Sequence, residues 1–364
     1  MCEKWPDPLG RWRGGWFIES PPMSPARRRL FLVLKTALAV VVIAGVGWHF
    51  YGLLSKDEVK QGLTFRPEYL IPAGLLYLGC HTLWGTFWVQ LLRGQGVRVG
   101  WLAGVRAYFI SQFGKYVPGK ALVILLRVGL LKGKVASPTV VVVTGTYETL
   151  TNMAAGAVLG ACLLPFSGQL DAIDEKYRDV VPYSVALLAF VPLVLFALNK
   201  VIRRVATKYR KRDAPPIPVP SLWLVLRGMV QAAAGWCLLG LSAWLTACGL
   251  SAEAVPLTPA AFAQFLCAVC VAYVIGFAAL FLPAGGGLRE LVLQWMLAPP
   301  LGAVSAAVAV VLRVVWTVAE VVAAGGLYFA PAGEPTGRDG HSPAPLDPPE
   351  QMTNSAPPSA PSGR

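Results

Sequence analysis

Repeated apolar runs constrain this chain more than any other feature: residues 30–50, 69–92, 137–164, 183–198, 221–250 and 301–329. A hydrocarbon core of roughly 30 Å takes about 20 apolar residues in a helix, so the runs predict an all-α, polytopic membrane protein. They are continuous and do not alternate, which excludes a β-barrel. Only 14% of the 364 residues are charged while 55% are apolar, against roughly 25% charged in an average soluble domain.

The net charge of +13 does not point to nucleic acid, because the basic residues flank the apolar runs and no soluble basic domain gathers them. Flanking Lys and Arg instead orient a membrane protein and meet anionic head groups. Arg27 to Arg29 precede the first run, which has no cleavage site after it and reads as an uncleaved span with a cytoplasmic N-terminus. Met23 would serve as a start as well as Met1. Arg93, Arg98 and Arg106 after the second run, and the dense basic segment 200–212 after the fourth, mark further cytoplasmic loops; the acidic loop 165–182 marks the opposite side. Trp84 and Trp88 are expected as interfacial anchors, and His81 as a polar residue near an interface. The expected location is the cell (inner) membrane, multi-pass. Residues 1–29 form a cytoplasmic segment, 30–330 the membrane domain with halves divided near 213–220, and 331–364 a disordered Pro/Ser-rich tail.

Two segments depart from plain spans. Residues 101–131 are apolar but broken by Ser111-Gln112-Phe113-Gly114-Lys115-Tyr116-Val117-Pro118-Gly119-Lys120, and residues from Pro259 to Pro299-Pro300 are broken by Leu282-Pro283-Ala284-Gly285-Gly286-Gly287-Leu288-Arg289-Glu290. About 17 residues precede Pro118 and about 14 follow it, too few on either side for a comfortable crossing. Each segment is therefore expected to be a re-entrant helical hairpin, giving about six spans plus two hairpins. A shift of 165 residues superimposes Ala107-Tyr108 on Ala272-Tyr273, Pro118 on Pro283, Glu148 on Arg313 and Gly160 on Gly325. The loop charges put an odd number of crossings between the units, so the repeat is expected to be inverted, the architecture in which transporters place substrate sites. Two kinks in ordinary spans would give the same pattern.

Glu148 and Arg313 stand about 12 residues into their spans, near the bilayer centre, where a charge costs at least about 2.5 kcal/mol unless partnered. Expected pairs are Glu148 with Arg313 or Arg289, and Arg127 with Glu290. Glu320 lies two turns beyond Arg313 on nearly the same face. Such pairs could simply lock the repeats together. Lys115, Lys120, Arg127, Arg289 and Arg313 nevertheless outnumber Glu148 and Glu290, so the centre could accept an anion such as a phospholipid phosphate, aided by free N–H groups at the breaks. The Cys267-x-x-Cys270 pair has only apolar neighbours and reads as packing. Ser111 and Thr144 are expected to bond to their own backbone or a neighbouring helix. No catalytic pair, metal site or cofactor is readable, and the expectation is a protein that is not an enzyme.

The block Phe109 to Lys120 with Arg127, then Tyr147-Glu148, then Pro283 to Glu290 with Arg313, resembles the membrane region of lysylphosphatidylglycerol synthases, also found as free-standing flippase-like proteins. Ala284 stands where that family more usually has glycine. The resemblance spans about residues 30–330 and lacks the soluble transferase domain. It implies binding and translocation of a phospholipid or related anionic lipid between leaflets, with Lys115, Pro118, Gly119, Lys120, Arg127, Glu148, Arg289, Glu290 and Arg313 around the head group. The alternative is a non-transporting partner that presents a lipid or polyprenyl phosphate to a separate lipid-modifying enzyme.

Overall fold

In a computed structural model, the structure describes residues 45, 48–52, 54–55, 57–116, 121–131, 137–167, 220–279 and 287–329. The first and fourth expected spans lie wholly or mostly outside these residues, as do Pro118, Gly119, Lys120, Pro283 to Gly286, the loop 168–182, the basic segment 200–212, the segment 1–29 and the tail.

The described elements are helical: α1 (Asp57–Gly62), α2 (Pro67–Gly94), α3 (Trp101–Ser111), a 3-10 turn (Gln112–Tyr116), α4 (Ala121–Leu131), α5 (Pro138–Leu163), α6 (Leu222–Leu250), α7 (Pro259–Ala278), α8 (Leu288–Leu301) and α9 (Ser305–Phe329). The start signals behave as side-chain caps. Ser137, Ser221 and Thr258 each accept a hydrogen bond from the backbone N–H three residues on, satisfying a donor that the helix itself cannot. The first break falls where the Gly and polar residues stand, α3 giving way to a 3-10 turn at Gln112. Pro299 and Pro300 stand in the last turn of α8, which ends at Leu301, one residue past the expected close of the second segment.

Among the described residues, three stretches are long and apolar enough to cross a membrane: Leu222–Leu250, Pro259–Ala278 and Leu288–Phe329. Helices α2 and α5, of 28 and 26 residues, match the second and third expected spans in length. They carry His81, and Glu148 with Asn152, in their interiors, which lowers their hydropathy. At 1.5 Å per residue α3 and α4 reach only about 16 Å each, half a hydrocarbon core, whereas the 20 residues of α7 reach about 30 Å.

Helices α2 and α6 pack most extensively and run antiparallel. Ser242 donates to the Ala73 carbonyl at 2.7 Å and Gln231 to that of Leu83 at 2.7 Å, so the chain descends along α6 as it climbs α2. Arg66 N–H also bonds to the Gly249 carbonyl at the α2 start, at 2.9 Å. The principal helix contacts map onto themselves when α2 exchanges with α6, α3 with α7, α4 with α8 and α5 with α9. Thus α5 meets α7 where Cys267 Sγ lies 3.5 Å from the Gly160 carbonyl, and α3 meets α9 where Arg106 donates to the Tyr328 carbonyl at 2.8 Å.

The core gathers around the α2–α6 pair. Trp84, Trp88 and Trp236 are buried there with Tyr77, Tyr108, Phe265 and Trp316. Trp84 and Trp88 are thus core residues and not interfacial anchors. Glycines on α6 leave room for two rings of α2, Gly235 lying against Trp84 and Gly228 against Phe87.

Candidate functional site

Three ionic groups sit in this core. The first belongs to one half. Arg127 on α4 donates to Glu148 on α5 at 2.8 Å and to the Ser111 hydroxyl at 3.2 Å. Its guanidinium lies 4.7 Å from the Trp88 ring centre and 4.6 Å from that of Tyr108. Glu148 also accepts from Asn152 at 2.6 Å and from the Tyr108 hydroxyl at 3.3 Å. Ser111 and Thr144 donate to the carbonyls of Tyr108 and Val140 in their own helices, as expected, while accepting from Arg127 and Trp88 respectively.

The second group belongs to the other half. Glu290 is shared by Arg289 at 3.4 Å and Arg313 at 3.7 Å, and also accepts from the Gly287 N–H at 2.7 Å. Gly287 has φ of +87°, a conformation that a residue without Cβ adopts freely, and the carboxylate closes the α8 N-terminus from inside. Arg289 stacks 4.4 Å from the centre of Tyr273, the residue that the 165-residue shift equates with Tyr108. Each half therefore lays an arginine on the matching tyrosine.

Both expected pairings are corrected here. Glu148 takes Arg127 and neither Arg289 nor Arg313, and Glu290 takes Arg289 and Arg313 and not Arg127. Each of these carboxylates is satisfied within its own half, where a short connection already brings the cation beside it.

The third group joins the halves. Lys115, in the 3-10 turn, pairs with Glu320 on α9. Glu320 also accepts from the Tyr77 hydroxyl and, at 2.8 Å, from that of Tyr116, and His81 Nε2 stands 3.9 Å away. Tyr77 and His81 lie ten and fourteen residues into α2, about 15 and 21 Å along a helix of about 42 Å. His81 is thus central and buried, not interfacial. Lys115 Nζ and the Arg313 guanidinium approach the same ring, 5.4 and 5.6 Å from the centre of Tyr116.

Of the residues singled out in the sequence, the structure places Lys115, Arg127, Glu148, Arg289, Glu290 and Arg313 in these three ionic groups, with Tyr77, His81, Tyr116 and Glu320 beside them. Ionisable side chains in apolar helices were the available signal for His81 and Glu320. Four Lys/Arg face three Glu, so the described cluster holds one more cation than carboxylate. The side chains of Arg127 and Glu148 are 2% and 3% exposed, those of Lys115 and Arg313 18% and 21%. The surplus charge lies on the accessible side, around Tyr116. Among the described residues no group of His, Cys, Asp and Glu could hold a metal ion.

Long apolar helices enclosing paired charges define a helical integral membrane protein. Its family is equally plain: over residues 36–325 the chain matches the model of the lysylphosphatidylglycerol synthase TM region, and it belongs to that family. No curated protein matches the chain.

Proposed function

We propose that the protein binds the anionic head group of a membrane phospholipid between its two halves and carries the lipid from one leaflet to the other, without acting as an enzyme. The observation that carries this reading is the surplus cation at Tyr116. Arg313 must share Glu290 with Arg289, so its charge is not fully neutralised, and it lies beside Lys115 where the first break meets α9. A phosphodiester supplies the missing negative charge. Of the expected head-group ligands, Lys115 and Arg313 make the contact, while Arg127, Glu148, Arg289 and Glu290 shape the site.

The inverted repeat belongs to this proposal. Its support is the antiparallel pairing of α2 with α6 and the exchange of contacts between the halves. Equivalent helices that run in opposite directions across a membrane are related by an axis lying in its plane. The half-length helices α3 and α4 then form a re-entrant hairpin. Arg93, Arg98, Arg106 and Arg227 gather where α2 ends and α6 begins, whereas Asp57, Glu68 and Glu253 accompany Lys60 and Arg66 at the other end. By the positive-inside rule the arginine-rich end faces the cytoplasm of the cell membrane.

The test is whether purified protein alone moves head-group-labelled phosphatidylglycerol between the leaflets of vesicles. Movement by the isolated chain supports translocation. Lipid binding without movement, together with co-purification of a transferase, would favour a presenting partner for a separate lipid-modifying enzyme.

A further inference from the structure

The Glu320 carboxylate is surrounded as a phosphate would be. An ammonium and two phenol hydroxyls converge on it, from Lys115, Tyr77 and Tyr116, and the imidazole of His81 stands behind them. Its side chain is 4% exposed, so these groups replace water almost completely. The donors come from α2 and from the 3-10 turn of one half, the acceptor from α9 of the other. Thr317, one turn before Glu320, lies 3.3 Å from the Tyr116 hydroxyl, and Arg313 lies a further turn back on the same face.

We infer that Glu320 is an internal stand-in for the ligand's anion: it holds Lys115 in the empty protein and gives it up to a phosphodiester monoanion that enters beside Arg313. This rests on the anionic-lipid reading above and names the step by which the ligand is admitted. Two features make the exchange workable. Lys115 is a point charge on a flexible stem and trades acceptors without the fork geometry that fixes Arg127. It is also the partly exposed member of its pair, and shares the Tyr116 ring with Arg313. An anion lodged against Arg313 then competes with Glu320 for the same ammonium. When it wins, the ion pair that ties the first break to α9 opens, and binding is coupled to separation of the halves.

Competition has a signature opposite to that of a structural ion pair. In phosphatidylcholine nanodiscs containing increasing brominated phosphatidylglycerol, quenching of the protein's tryptophans reports anionic-lipid binding. Glu320→Gln removes the competitor and is expected to tighten phosphatidylglycerol binding about tenfold, the scale of one charge-assisted hydrogen bond. Lys115→Gln is expected to weaken binding and to abolish that gain when combined with Glu320→Gln. The exchange Lys115→Glu with Glu320→Lys keeps an ion pair, and with it the fold, yet is expected to lose the preference for phosphatidylglycerol. If the wild type prefers phosphatidylglycerol but Glu320→Gln binds no tighter, the stand-in role is overturned and the lipid reading survives. If neither protein prefers it, both are overturned.

Discussion

Arg127 and Glu148 meet at 2.8 Å with both side chains almost fully buried, and the guanidinium lies against the rings of Trp88 and Tyr108. Removing one partner of such a pair leaves a bare charge in the core, at a cost of about 3–5 kcal/mol. Arg127→Ala should therefore lower the thermal unfolding midpoint in detergent strongly. Arg127→Met combined with Glu148→Leu, which removes both charges at similar volume, should recover most of the loss. Equal damage from the single and double variants would deny that the charges act as a pair.

Gly114 holds the first broken segment closed. A Cβ there would stand 2.5 Å from the Val123 nitrogen and 2.7 Å from the Leu122 carbonyl carbon, both backbone atoms of α4 that cannot swing aside. Gly114→Ala should force α4 away from the 3-10 turn, at about 1–3 kcal/mol. Faster hydrogen exchange in α4, with α2 and α6 unchanged, is the expected result.

The sequence revealed the helices, the site of the first break and the identity of most charged residues in the centre, because hydropathy and helix breakers report depth and continuity. It did not reveal partners. Depth alone placed Glu148 and Arg313 at one level, but which residue each faces depends on helix rotation, and Arg127 reaches Glu148 only because α4 folds back beside α5. Trp84 and Trp88 read as interfacial since tryptophan often is; Gly235 of α6, which admits the Trp84 ring, lies some 150 residues away in the chain. Glu320 was visible on the Arg313 face, but its pairing with Lys115 requires the two halves to be docked.

The two ends of the α2–α6 pair should be accessible from opposite sides. Phe65 and Trp223, at those ends, are 69% and 76% exposed. In cells, Trp223→Cys is expected to react with a thiol reagent only when the reagent reaches the cytoplasm, and Phe65→Cys with an impermeant reagent added outside. Labelling of both positions from one side would contradict the assigned membrane crossing.

Arg313 should matter for lipid more than for stability. Its side chain is 21% exposed and its carboxylate partner retains Arg289. Arg313→Gln is therefore expected to leave the unfolding midpoint within a few degrees of wild type while weakening phosphatidylglycerol binding about tenfold. A large loss of stability with unchanged binding would make Arg313 a packing residue.

Leaflet exchange tests the central claim most directly. Vesicles carrying the full chain, and vesicles carrying an equal amount of folded Lys115→Gln/Arg313→Gln protein, are loaded with head-group-labelled phosphatidylglycerol, and the fraction reaching the outer leaflet is followed by an impermeant quencher. The account predicts rapid exchange with the wild-type chain and a rate at least about tenfold lower with the double variant. Equal rates in the two, or no exchange above protein-free vesicles, would contradict it.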